Sequence, residues 1–269
     1  MSATSKAVGS SLSAAPMIED AEKKGLLSHG STIVEATAGN TGLGIAFAAL
    51  NRGIRVIFVV PDKFSREKQT LMRALGAEIV NTPREGGMLG ATKKAEELRT
   101  TLPNAVSLEQ FKNPSNPQAH YETTGPEIFW DLAGDIDYLV AGAGSGGTYS
   151  GVVRYLKERN PDIRGILADP VGSTMGGSEH GDYDIEGIGN DFIADTMDMT
   201  LVDRVIKVTD IEAFDMARQA AAKEGIFAGS SSGAALAAAL KLVRDGAQGT
   251  IVTIFPDRGD RYFSKGLYR

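Results

Sequence analysis

Tyr138-Leu139-Val140-Ala141-Gly142-Ala143-Gly144-Ser145-Gly146-Gly147-Thr148-Tyr149 joins a short apolar run to a glycine-rich turn, then to a segment of helical period that continues to residue 159. An apolar run of this length between turn signals reads as a strand buried on both faces, and feeding it through glycines into a helix gives the repeating unit of a parallel α/β sheet. The same order recurs outward in both directions. Strands are expected at residues 32–36, 55–60, 78–81, 137–141, 164–168, 204–208 and 250–255. Helices are expected at residues 17–24, 41–51, 65–75, 92–99, 149–159, 211–222 and 233–244. This alternation predicts an α/β fold with helices on both faces of parallel sheets.

Two stretches interrupt the pattern. Between Gln110 and Glu127, Asn113-Pro114-Ser115-Asn116-Pro117 is expected to break regular structure and carry the chain between domains. Residues 170–198, rich in Gly, Asp and Met, are expected to form a loop over a site, because connections of that length usually have a function. No internal repeat stands out.

Composition narrows the function. Of 269 residues, 42% are apolar and 23% charged, as in ordinary soluble domains, and the net charge of -6 argues against nucleic acid as a partner. The most apolar stretch, residues 234–242, is too short to cross a membrane, and residues 1–15 lack the apolar block of a secretory signal. With no cysteine there is no disulfide, thiolate metal site or cysteine nucleophile, and no metal site is expected. A cytoplasmic protein without membrane partners is the expectation.

Three glycine turns sit between an apolar run and a helix, where unpaired N–H groups favour an anion. Thr37-Ala38-Gly39-Asn40-Thr41-Gly42 could hold a carboxylate or phosphate; equally, it could be a tight turn with Asn40 strained. Gly142, Gly144 and Gly147 satisfy a dinucleotide pattern, with Asp169 at the end of the next strand as the ribose-binding acid. Against that, Ser145 and Thr148 suit a cup around one terminal phosphate. Gly229-Ser230-Ser231-Ser232-Gly233 offers three hydroxyls where one would cap a helix.

Taken together and in order, these loops resemble the cysteine synthase / cystathionine β-synthase family of fold type II pyridoxal-phosphate enzymes. Glu35-Ala36-Thr37-Ala38-Gly39-Asn40-Thr41-Gly42 is similar to the family's asparagine loop. Pro61-Asp62-Lys63 with Glu67-Lys68, then Leu71-Met72-Arg73-Ala74-Leu75-Gly76-Ala77-Glu78, resembles the unit that follows it. Gln110-Phe111-Lys112-Asn113-Pro114 and His120-Tyr121-Glu122-Thr123-Thr124-Gly125-Pro126-Glu127 resemble its crossover. Glu186-Gly187-Ile188-Gly189 and Phe255-Pro256-Asp257-Arg258-Gly259-Asp260-Arg261-Tyr262 complete the likeness. Ala168-Asp169-Pro170 and Asp191-Phe192-Ile193 lean toward the cystathionine β-synthase branch.

The resemblance implies two doubly wound, mainly parallel domains of tryptophan synthase β type, with the cofactor in the cleft between them. The smaller would span residues 1–113 and the larger 114–269. Gly144, Ser145, Gly146, Gly147 and Thr148 would bind the phosphate of pyridoxal 5'-phosphate; Asn40 would meet its ring hydroxyl and Ser231 its pyridine nitrogen. Thr37, Ala38, Gly39, Thr41 and Gln110 would take an amino-acid carboxylate, and Gly187 would line the entrance. A homodimer is implied, and docking of a serine acetyltransferase C-terminal peptide is a further implied partner.

The family carries Ser-x-Lys-Asp-Arg just before the helix at residues 17–24, and its lysine attaches the cofactor. Counting back from Asn40 by the family spacing reaches Ser10, and the next two positions are Ser11 and Leu12. The expectation is an N-terminally truncated or divergent member holding the cofactor noncovalently, with Lys6 as the fallback lysine. Its chemistry would be β-replacement on serine or O-acetylserine, giving cysteine or cystathionine at low rate. The alternative is an impaired relative that binds cofactor, amino acid or a partner, and the third is an NAD-dependent dehydrogenase.

Overall fold

The computed structural model describes residues 10–37 and 39–269, so Lys6 and Ala38 lie outside the described residues. A 3-10 turn, Ser10–Ser13, leads into α1 (Ala14–Lys23). There follow β1 (Thr32–Ala36), α2 (Asn40–Ala48), β2 (Arg55–Pro61), α3 (Arg66–Ala74), β3 (Glu78–Thr82), α4 (Gly87–Thr101) and β4 (Ala105–Val106). Next come α5 (Ser115–Glu122), α6 (Thr124–Asp131), β5 (Tyr138–Gly142), α7 (Gly147–Arg159), β6 (Arg164–Pro170), β7 (Arg204–Val208), α8 (Asp210–Glu224), α9 (Ser230–Arg244) and β8 (Ile251–Thr253).

The strands form two sheets of four, ordered β3-β2-β1-β4 and β7-β6-β5-β8. Every pairing within them is parallel; β1 aligns Ile33 with Val56, and β5 aligns Leu139 with Gly165. The α/β reading therefore holds. Although no sequence repeat is evident, both sheets share one winding, with the first strand internal and the last added on its far side. Successive side chains on a strand face opposite sides, so each sheet has two cores. Ile33 and Phe58 meet Met17, Ile18 and Ile45 on one face, while Val34, Ile57 and Val59 meet Ala91 and Ala95 on the other. In the second sheet, Leu139 and Leu167 pack on Tyr149, Val152 and Leu156; Val140, Ile166 and Ala168 pack on Ala234 and Ala238.

Local chemistry sets several helix ends. The Ser65 hydroxyl accepts the Lys68 N–H at 3.2 Å and starts α3. Thr209 and Glu212 cap α8 reciprocally, at 3.3 Å and 2.9 Å. Residues 171–198 contain no helix or strand. Among the described residues, no helix is long and apolar enough to cross a membrane.

Two expectations are corrected. Of the stretch from Gln110 to Glu127, residues 110–114 are irregular, but α5 begins at Ser115 and α6 at Thr124, and both pack on α7. Pro117 and Pro126 each fall in a first turn, where the missing N–H would have had no intrahelical partner. Nor is Asn40 strained. Among the described residues the non-glycine left-handed positions are Asn51, Asn104, Glu109 and Ala133, whereas Asn40 opens α2 after an extended Gly39.

Helices α8 and α9 approach closely at Gly233, where a methyl group would lie 2.0 Å from the Ala213 carbonyl oxygen. Gly233→Ala should therefore lower unfolding free energy by about 1–3 kcal/mol, the usual cost of overpacking. Gly86→Ala, with nothing within 4 Å of the added methyl, should be close to neutral. Urea denaturation of both variants checks the pair.

Candidate active site

The turn after β1 enters α2 and the turn after β5 enters α7, so both open at the carboxyl ends of internal strands. In open α/β sheets a crevice forms there, where neighbouring connections leave in opposite directions. Thr37, Gly39, Asn40, Thr41 and Gln110 line one side of a single cleft. Gly144, Ser145, Gly146, Thr148, Gly187 and Ser231 line the same cleft. Gly147 lies behind the turn, where a methyl group would sit 2.1 Å from Asn116 Oδ1. Ser10 is in the turn that packs beside α2 and α5.

The turn after β5 is held from outside by the long loop. The Gly189 N–H donates to the Ala143 carbonyl at 2.8 Å, Asn190 Nδ2 to that of Gly144 at 2.7 Å, and the Thr196 hydroxyl to that of Ser145 at 2.5 Å. A trans peptide points its C=O and following N–H in opposite directions. The N–H groups of Gly144, Ser145 and Gly146 thus face away from these partners, and each belongs to a residue lining the cleft. Gly146 is left-handed (φ 82°), and a side chain there would also strike Met197. The first-turn N–H groups of α7 add donors without intrahelical acceptors.

Hydroxyls complete this cup. Asn116 Nδ2 donates to Ser145 Oγ at 2.9 Å and to the Gln110 carbonyl at 2.9 Å, tying the two sides of the cleft. Thr148 Oγ1 lies 3.0 Å from His120 Nε2, and His120 Nδ1 lies 2.9 Å from Thr124 Oγ1. Burial pushes the His120 pKa down to about 4, so the ring is neutral near pH 7. Such a set of N–H and O–H groups, with glycines where methyl groups would collide, fits a phosphate.

The opposite wall rests on Glu35. Its carboxylate accepts the N–H groups of Leu108 and Gln110, at 3.0 Å and 3.1 Å, and the Ser107 hydroxyl at 2.8 Å. Burial pushes that carboxyl up in pKa, while these donors pull it down. Gln110 Nε2 donates to the Ala36 carbonyl at 2.8 Å, which orients its amide beside the asparagine loop.

The serines of α9 divide their work. Gly229 is the N-cap and no side chain caps the helix, so the capping alternative fails. Ser230 accepts the Glu186 N–H at 3.0 Å, and Ser231 lines the cleft. The dinucleotide alternative also loses its acid. Asp169 is buried, paired to Lys207 at 2.5 Å and to the Gly176 N–H at 2.9 Å, and does not line the cleft.

Asn116, His120, Asn190, Thr196 and Glu35 shape the site but had no assigned role in the sequence. Each acts on a residue distant in the chain, so local pattern carries little signal for it. Lys63 and Lys265 also line the cleft. Lys68 lies behind Asn40, buried against Asp257 and Glu186 at 3.3 Å and 3.7 Å.

The model of a family described as pyridoxal-phosphate dependent enzyme matches residues 11–257. An O-acetylserine dependent cystathionine beta-synthase of Bacillus subtilis (strain 168) is 50% identical over 253 residues, covering 94% of this chain and 82% of that protein. A cysteine synthase of Helicobacter pylori (strain J99) is 47% identical over 253 residues, covering 94% and 83%. The crystal structure of an O-acetylserine dependent cystathionine beta-synthase from Helicobacter pylori superposes with a TM-score of 0.92 at 46% identity, covering 97% of this chain and 85% of that one.

The buried His120 makes stability depend on pH. Its folded pKa of about 4 lies below the ordinary value of 6.5, so the unfolded chain binds a proton that the folded one refuses. This contribution is fully present above pH 6.5 and is lost as pH falls toward 4, by up to about 3 kcal/mol at 1.36 kcal/mol per unit. Unfolding free energies across that window should fall more steeply for the wild type than for His120→Gln, and NMR should show the ring unprotonated at pH 5.

Proposed function

This chain belongs to the family of pyridoxal-phosphate dependent enzymes, and on that premise we propose that it catalyses β-replacement on O-acetylserine or serine. The incoming thiol would be sulfide or homocysteine, the product cysteine or cystathionine, and the displaced group acetate or water. The observation that carries this reading is the meeting of the asparagine loop, the residue 144–148 turn and Ser231 in one cleft. The 50% identity to an O-acetylserine dependent enzyme supports the choice of substrate.

When bound, pyridoxal phosphate supplies an electron sink that lets an amino acid lose its β-substituent and accept a thiol. The chain's residues would bind and orient. Residues 144–148 would hold the phosphate through N–H and hydroxyl donors at the α7 N-terminus, with Thr148 backed by neutral His120. Asn40 would meet the ring hydroxyl, and Ser231, a neutral hydroxyl, the ring nitrogen. Residues 37–41 with Gln110 would take the substrate carboxylate, and Gly187 would line its way in. The smaller domain, residues 1–113, would close against residues 114–269. A cytoplasmic homodimer and a docked serine acetyltransferase C-terminal peptide belong to the same proposal, supported by the resemblance alone.

A second reading, a binding protein with impaired chemistry, rests on one observation: Ser10 stands where the family spacing calls for the cofactor-attaching lysine. Without that amine, the substrate α-proton also lacks its base, and general acid–base assistance typically contributes about 10²–10⁴-fold in rate.

Titration with pyridoxal phosphate should give saturable changes in visible absorbance and melting temperature. Cysteine or cystathionine formation from O-acetylserine should be very slow in the unmodified chain and should rise in Ser10→Lys, whose adduct borohydride would fix. No saturable change at millimolar cofactor would overturn the cofactor reading; robust turnover by the unmodified chain would overturn the role given to position 10.

A further inference from the structure

Asn40 does not lie loosely on the cleft wall. Its Oδ1 accepts Arg261 Nη1 at 2.8 Å, and its Nδ2 donates to Asp257 Oδ2 at 3.1 Å. A guanidinium can only donate and a carboxylate can only accept, so the amide has one workable orientation; flipped, it would meet both neighbours with the wrong group. Among the described residues, one N–H of Asn40 remains uncommitted on a side chain that lines the cleft.

The clamp is itself held firmly. Asp257 Oδ2 also accepts the Tyr262 hydroxyl at 2.5 Å, and the buried Lys68 ammonium lies 3.3 Å from the same oxygen. Lys68 donates to Tyr262 at 2.5 Å, and the Arg261 carbonyl accepts the Ser65 hydroxyl at 2.5 Å. Both clamping residues therefore come from one C-terminal segment anchored to α3 and its cap, in the other half of the chain. Charge-assisted hydrogen bonds of this kind hold geometry better than neutral ones.

We propose that Arg261 and Asp257 are positioning residues that fix the Asn40 carboxamide so that it offers the cleft an N–H, making this wall selective for an acceptor oxygen on the ring of the bound cofactor. The inference rests on the cofactor reading above. Asn40 is the donor; Arg261 and Asp257 act through it and touch no ligand.

The test compares pyridoxal phosphate with 3-deoxypyridoxal phosphate, which lacks the ring hydroxyl, by absorbance or fluorescence titration. Arg261→Met should weaken pyridoxal phosphate about tenfold and leave the deoxy compound unchanged, and Arg261→Lys should recover most of the loss. Equal affinities for the variant and wild type, or equal weakening of both ligands, would overturn the inference. If Arg261→Met folds poorly, the wild type still decides. Its Asn40 side-chain N–H resonances, identified by their loss in Asn40→Ala, should shift with pyridoxal phosphate and not with the deoxy compound; no shift with either would count against the proposal. Failure of both compounds to bind the wild type would instead remove the cofactor reading, and the inference with it.

Discussion

Three hydrogen bonds to three consecutive carbonyls, those of Ala143, Gly144 and Ser145, set the geometry on which the cleft depends. A turn this rich in glycine has many backbone choices, and ordering it costs more per residue than ordering other chain. Capture of its carbonyls by Gly189, Asn190 and Thr196 leaves few of those choices open. The planar peptide then does the rest, because fixing each oxygen fixes the direction of the next N–H. The loop of residues 171–198 thus turns these N–H groups toward the cleft, although it contributes no helix or strand.

The sequence shows this turn clearly and its partners hardly at all. Glycines and hydroxyls are adjacent in residues 142–148, so their joint meaning can be read in one window. Asn190 and Thr196 act across 46 and 51 residues, and neither differs locally from any polar loop residue. His120 reads as one histidine in a helix until burial and Thr148 give it a role. The sheets were legible because their strands are nearly continuous apolar runs, and strand ends were missed where Pro61 and Pro170 close β2 and β6. A proline at the last position loses no interior ladder bond. Helices α5 and α6 were hidden by prolines at harmless first-turn positions, and the two-residue β4 is too short for any period. The winding shared by the two sheets leaves no trace in residue identity, since packing demands only apolar positions.

The buried group of Lys68, Glu186, Asp257 and Tyr262 joins parts of the chain that neither sheet holds together. Glu186 accepts the Ser65 N–H at 3.0 Å, while its own N–H donates to Ser230, so one residue touches the α3 cap and the α9 start. Burial pushes the Glu186 carboxyl up in pKa, opposed by Lys68 and Lys265. Replacing such a set with apolar side chains often stabilises a protein, because desolvation can exceed the ionic attraction. Here the arrangement places Asp257 beside Asn40 and Glu186 one residue before Gly187 at the cleft. Position, more than stability, is what these charges supply.

Electrostatics link that group to the cleft. The first turns of α2, α7 and α9 all contribute residues to the cleft, and each helix start carries roughly half a positive charge from its aligned peptides. The chain as a whole is acidic, at -6, so the net charge opposes any anion at the cleft and only the local field can favour one. Two carboxylates, Glu186 and Asp257, stand close enough to cancel much of that field if left bare. Lys68 lies between them with its ammonium buried, and Lys265, which lines the cleft, reaches Glu186 at 3.8 Å. Their charges offset Glu186 and Asp257 where solvent cannot, so these two buried carboxylates subtract less from the field of the helix starts. A lysine that does not line the cleft, Lys68, can in this way offset a carboxylate that does, Glu186.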